Sequence, residues 1–257
     1  GDVYKRQVVG DGNLTINLNS GKYFGIGNSL DEYHGELNFY QDGGIIINAN
    51  GMKGIGIGSG LGGVINIKRG HYEFDMKGQE GACIGSVNGD SELFIEYCDM
   101  DIYSGISNGT IIGSVNGDAD IKLENISAKL QGAGNVITGI GTIAGNSCMV
   151  RLENVNISSN IRAKECYGIG CRAGRTDIYI GYAAVKSVVQ GKSAVAFGNS
   201  VMSAKLYCSN ADVGTNAVTE FNSDIGALEK NIQLENGRAE FILNGQEVKR
   251  QILAARL

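Results

Sequence analysis

Ala82–Ile95 reads ACIGSVNGDSELFI, and Thr110–Leu123 reads TIIGSVNGDADIKL. Seven letters in a row, Ile-Gly-Ser-Val-Asn-Gly-Asp, return after 28 residues. Such an echo is either a duplicated site or one turn of a longer structural repeat. Ile-Gly recurs at Ile26-Gly27, Ile57-Gly58, Ile84-Gly85, Ile112-Gly113, Ile140-Gly141 and Ile169-Gly170, and Phe197-Gly198 and Ile225-Gly226 continue the series. The glycines lie 31, 27, 28, 28, 29, 28 and 28 residues apart. Eight anchors at near-constant spacing make the echo one pair of rungs in a ladder running the length of the chain.

Each unit alternates with period two, the mark of a half-buried strand. About ten residues after the anchor come Leu37/Phe39, Ile65/Ile67, Leu93/Ile95, Ile121/Leu123, Val150/Leu152 and Ile178/Ile180. A further alternation follows at Tyr72/Phe74, Met100/Ile102 and Val155/Ile157. The pattern predicts an all-β, single-stranded parallel β-helix: about eight coils of ~28 residues, three short strands per coil. A propeller blade usually needs 40 or more residues and four strands, so the coil is the better fit. Asn125 and Asn154 fall at one corner of successive coils, where asparagine tolerates a left-handed backbone and bonds to its neighbours.

Composition agrees. The 257 residues include 40 glycines and no proline; proline removes a ladder donor and is kept out of sheet interiors, while glycine turns corners. A net charge of −5 speaks against nucleic acid or an anionic membrane as partner. No run of 18 apolar residues predicts a membrane span. The six cysteines, at 83, 98, 148, 166, 171 and 208, form no C-x-x-C pair and read as buried free thiols. A monomer is expected.

The units GIGIGSGLGGVINIKRGHYEF (Gly54–Phe74) and YGIGCRAGRTDIYI (Tyr167–Ile180) resemble a repeat of gut bacterial surface proteins, with G-I-G-S-G, a glycine-rich turn, I-T-I and then G-G-x-V. The resemblance runs from residue 12 to about 236 and implies an extracellular β-solenoid with a carbohydrate-related or adhesive role. The chain departs from it after the second strand, where Tyr97-Cys98 or Glu124-Asn125 replaces the usual Gly-Gly. Asp2-Val3-Tyr4-Lys5-Arg6-Gln7 resembles a translated sequencing-library adapter, which sets residues 1–7 apart as a scar. The helix is then expected over 8–236. Residues 237–257 are expected to cap it: Ala239–Leu243, Asn244-Gly245 and Gln246–Lys249 spell a hairpin, with a short helix over Glu247–Leu257 as the alternative.

No catalytic residues are identified, since nucleophile signatures, phosphate loops and zinc-ligand spacings are all missing. Gly-Ile-Gly-Ile-Gly at 54–58 lacks the following helix that a dinucleotide loop needs. Asp90 and Asp118 become Asn146 and Arg175 in the next two coils, a series of turn residues more than an ion ladder.

Attention therefore falls on outward positions of the third strand. Aligning Tyr72/Phe74 with Met100/Ile102 places His71 beside Asp99, Glu73 beside Asp101 and Asp75 beside Tyr103. Four carboxylates, a histidine and a tyrosine on two rungs suit an oxygen-rich Ca²⁺ site or the carboxyl pair of a glycosidase, or simply form a solvated acidic face. No other cofactor is expected. On the second strand, Phe94, Lys122, Arg151 and Tyr179 form an outward column suited to a glycan or to ordinary ion pairing.

The preferred function is a non-enzymatic solenoid of a bacterial surface or secreted protein, structural or presenting a long face to a glycan or surface protein. The first alternative is a β-helix polysaccharide lyase or glycoside hydrolase acting on an acidic polysaccharide. Such an enzyme needs a groove walled by corner loops, and only the longest coil, Ile26 to Ile57, has room for one. The second alternative is the sensor domain of a truncated cytosolic protein, in keeping with six free thiols.

Overall fold

The repeated letters become a coil because each has a place to go. In a computed structural model, which describes residues 5–221, 225, 232–248 and 253–254, the chain is an all-β solenoid of about eight turns. All fifteen strands join one sheet, and successive coils pair in parallel. Ser86 pairs with Ser114, so the seven-letter echo is stacked on itself one rung apart.

In Ile84-Gly85-Ser86-Val87-Asn88-Gly89-Asp90 the isoleucine side chain is fully buried in the core. The glycine holds φ +133°, and a Cβ there would lie 1.8 Å from the carbonyl oxygen of Gly113. No L-residue with a side chain fits, which is why glycine is kept at every described anchor; Gly226 lies outside the described residues. The serine points inward and donates to the carbonyl of Gly89, an acceptor inside the tight corner. Ser114 and Thr142 reach one coil back instead, donating to the carbonyls of Gly89 and Gly117 at 2.7 Å each.

The valine turns outward and packs with Val115, Ile143, Leu30 and Ile55 in a second, smaller apolar cluster over the first strand. Asn116 donates its amide to Asn88 at 3.4 Å. The closing aspartate reaches the next coil: Asp90 accepts the backbone N–H of Asp118 at 2.8 Å, and Asp118 accepts those of Asn146 and Ser147 at 2.7 and 3.0 Å. Both carboxylates are thus corner ties.

The second-strand pairs form the core as expected: Leu93, Ile95, Ile121, Leu123, Val150 and Leu152 are at most 1% exposed. Each such burial stabilises the fold by about 2 kcal/mol. Val155 is a correction. It lies in the corner before its strand, and register sets Ile157 beside Ala128 and Ser159 beside Leu130 as the inward pair of that coil. Nor are the strands always short. Ladder pairing passes around the corners, so Gly63–Ser86 and Ser91–Ser114 are single elements of 24 residues that cover three faces.

One corner, after the second strand, carries a left-handed residue in every coil from Arg69 to Asn236. The residues are Arg69, Tyr97, Asn125, Asn154, Tyr182, Asn210 and Asn236, with φ from 47° to 68°. Asn154 donates its side-chain amide to Asn125, the ladder that the asparagine spacing implied.

At the N-terminal end, Lys5–Gly10 is a strand in parallel register with Glu36–Gln41, so Lys5–Gln7 continue the sheet. At the other end, the parallel ladder continues past residue 236 to Leu243, which pairs with Ala217. The hairpin then forms: Asn244 (φ 50°) and Gly245 (φ 79°) make the turn, and Gln246–Glu247 return antiparallel on Leu243 and Ile242. Lys249 lies outside the described residues. Leu253–Ala254 is a strand parallel to Gln233–Leu234 where the alternative reading placed helix; the free ladder edge of the last coil supplies partners that a helix would leave unpaired. No helix among the described residues is long and apolar enough to cross a membrane.

Candidate functional site: a trough along the third face

Third-strand side chains alternate strictly, so everything not committed to the core lines one outer face. Register stacks these into three columns. His71, Asp99, Ser127, Asn156, Ala184, Asp212 and Arg238 form the first. Glu73, Asp101, Lys129, Ser158, Lys186, Gly214 and Glu240 form the second. Asp75, Tyr103, Gln131, Asn160, Val188, Asn216 and Ile242 form the third. The columns continue upstream through Ile46 and Asn48 to Thr15 and Asn17. The seven rungs from His71 to Arg238, at about 4.8 Å each, make a stretch roughly 29 Å long.

The face is concave. One groove of about 460 Å³ is lined by His71, Asp99, Asp101, Ser127, Lys129, Gln131, Asn156, Ser158 and Asn160. A second, of about 800 Å³, takes over at Asn156 and Ser158 and runs past Ala184, Lys186, Asp212, Gly214 and Asn216 to Arg238 and Glu240. The shared residues make the two grooves one trough. Its depth has a local cause: Ser127, Ser158, Ala184 and Gly214 are short, while lysines, arginine and carboxylates stand beside them.

The six residues singled out from sequence stand in the register that the alignment set: His71 opposite Asp99, Glu73 opposite Asp101, Asp75 opposite Tyr103. His71, Asp99 and Asp101 line the trough. Glu73, Asp75 and Tyr103 share those rungs without lining it. The cluster is also less bare than its letters suggest. Lys77 Nζ lies 3.0 Å from Asp75 Oδ2, and Lys129 Nζ lies 3.4 Å from Asp101 Oδ2.

Among the described residues, no three His, Cys, Asp or Glu side chains come together to hold a metal ion. The four carboxylates are spread along the face and are not gathered at one point. Side chains leaving one sheet face run parallel to one another, and two of the four carboxylates already face lysines.

The trough's downstream half is what sequence reasoning missed. Its signal lay in the same outward positions, which change from carboxylate to hydroxyl, amide, alanine and glycine in later coils. The run of carboxylates on adjacent rungs stops at Asp101, and the charges beyond it, Lys129, Lys186, Asp212, Arg238 and Glu240, are mixed in sign and scattered. The longest coil adds its extra residues at Asn28–Gly35, the corner between the first and second faces. There Leu30 packs into the outer apolar cluster, so this loop does not wall the trough. No family model, curated protein or solved structure matches the chain.

Proposed function

We propose that this chain is a binding solenoid that takes an extended, uncharged glycan strand lengthwise in the third-face trough, as part of a surface or secreted protein. The observation that carries the reading is the set of hydroxyl and amide side chains along the joined grooves, Ser127, Gln131, Asn156, Ser158, Asn160 and Asn216, with the small Ala184 and Gly214 keeping the floor open between them. Hydroxyls and amides both donate and accept, as sugar hydroxyls require, and the open trough leaves both ends of a polymer free.

Charge argues against the acidic substrate of the enzymatic alternative. Four carboxylates on two rungs repel a polyanion entering from that end, and Lys77 and Lys129 are already engaged. Among the described residues, the corners on both sides of the third face are short and no loop folds over the trough to exclude water, which supports binding over catalysis. The six thiols do not favour a reducing compartment, since all are buried and free.

A glycan array, run with and without Ca²⁺, tests this with two variants. Gly214→Tyr fills the trough at a position where an added Cβ meets nothing within 4 Å, so the fold is kept. It is expected to weaken binding to at least one neutral polysaccharide on the array by about tenfold or more. Asp99→Ala/Asp101→Ala is expected to leave that binding nearly unchanged and to relax the rejection of acidic glycans. Affinity for every neutral polysaccharide left unchanged by Gly214→Tyr would sink the trough reading.

A further inference from the structure

The second face carries a pattern that packing does not account for. At the left-handed corner four of the seven coils use asparagine, whose short polar side chain tolerates that backbone. The second and fifth of the seven use tyrosine instead: Tyr97 at φ 56° and Tyr182 at φ 47°. Neither recovers the strain by burial, for they are 59% and 65% exposed. In both coils, a second exposed ring lies three residues earlier on the adjoining strand, Phe94 (37%) and Tyr179 (43%). In the two coils between, Lys122 and Arg151 occupy the Phe94/Tyr179 column and Asn125 and Asn154 the corner. Strained backbone bearing exposed aromatic rings, twice, in matched pairs, is the mark of a contact made with something outside the chain.

We propose that the Phe94/Tyr97 and Tyr179/Tyr182 pairs are two ring platforms of a second carbohydrate site, on the face next to the trough, for an uncharged glycan strand lying along the solenoid axis. The platforms are three rungs apart, about 14 Å. One rung is close to the rise of one sugar in an extended pyranose chain, so the spacing sets every third sugar ring against an aromatic pair.

The cations between them are already held within the chain. Lys122 Nζ lies 2.6 Å from Glu124 and Arg151 Nη1 lies 2.9 Å from Asp120. A charged ligand would have to break these pairs, whereas a neutral sugar finds donors and acceptors fixed in place. Beyond the second platform Tyr207 continues the column, its ring centroid 6.4 Å from that of Tyr179.

The test is Tyr97→Asn/Tyr182→Asn, which installs the residue the other coils use. It is made in the Gly214→Tyr background, so that the trough is filled and the two sites are read separately. Probes are a soluble neutral β-glucan, a galactomannan, polygalacturonate and a lysine-rich peptide, with affinity read by calorimetry and stability by thermal unfolding. The expected result is a Tm raised by about 2–4 °C as backbone strain is relieved, with affinity for one neutral polysaccharide about tenfold weaker. Unchanged neutral-glycan affinity in the double variant, or no neutral-glycan binding in the Gly214→Tyr parent, overturns the proposal. Loss confined to the lysine-rich peptide also overturns it and assigns the platforms to a basic protein partner.

Discussion

His34 shows how one side chain couples this fold to pH. It is 1% exposed, its Nδ1 shares a hydrogen bond with Ser59 Oγ at 2.9 Å, and its Nε2 is buried without a partner. Burial lowers the imidazole to about 4; the backbone at Val64 opposes this and the Arg6 charge adds to it. A group depressed in the folded state binds its proton first in the unfolded chain. Stability from neutral His34 is therefore complete above about 6.5 and is lost as pH falls toward 4. The span corresponds to about 3 kcal/mol. Unfolding free energies from urea titrations at pH 7 and pH 4 are expected to differ by that much more in the parent than in His34→Gln. Carboxylates titrate in both proteins and cancel in the comparison; equal acid sensitivity would remove His34 from the account.

At the scale of the element, corners decide more than strands do. Strand alternation and the glycine spacing were legible at once, because a buried inner face and a corner without room for Cβ leave only a few residue types. The asparagine corner was legible at Asn125 and Asn154 for the same reason. Arg69, Tyr97 and Tyr182 were not, since nothing in their chemistry announces a left-handed backbone, and only their place in one column with the asparagines reveals it. The anchor corner gives a sharp contrast between two glycines. A Cβ at Gly113 would lie 1.9 Å from the carbonyl oxygen of Gly141, with φ at +135°. The neighbouring coil cannot retreat without breaking its own ladder, so Gly113→Ala is expected to cost about 4 kcal/mol or more in chemical unfolding. Gly214 has ordinary φ and open space, and Gly214→Ala is expected to leave stability within about 0.5 kcal/mol of the parent or slightly raised. Comparable losses at both would mean that glycine entropy, and not coil-to-coil contact, sets the anchor.

The whole molecule is a stack in which each coil touches only its neighbours, and this explains both what the sequence hid and how the protein should open. The trough belongs to no motif: Ser127, Asn156, Ala184 and Gly214 are unremarkable letters until the stack lines them up. Energetically, a stack of this kind is a sum of coil and interface terms, so it frays from its ends before it melts in the middle. The cysteines report on that order. All six are buried. Burial raises Cys208 to about 12 and Cys148 well above the usual thiol value, so neither offers thiolate to a reagent until its coil opens. Cys208 lies in the last full coil, one rung from the closing strand Ile232–Leu243, whereas Cys148 is packed between Ala119 and Thr176 in mid-rod. Alkylation with iodoacetamide in sub-denaturing urea, followed by mass spectrometry, is expected to label Cys208 well before Cys148, with almost no labelling of either in the absence of urea. Simultaneous labelling of the two would show that the rod unfolds as one cooperative unit, and that coupling between coils outweighs the stability of any single one.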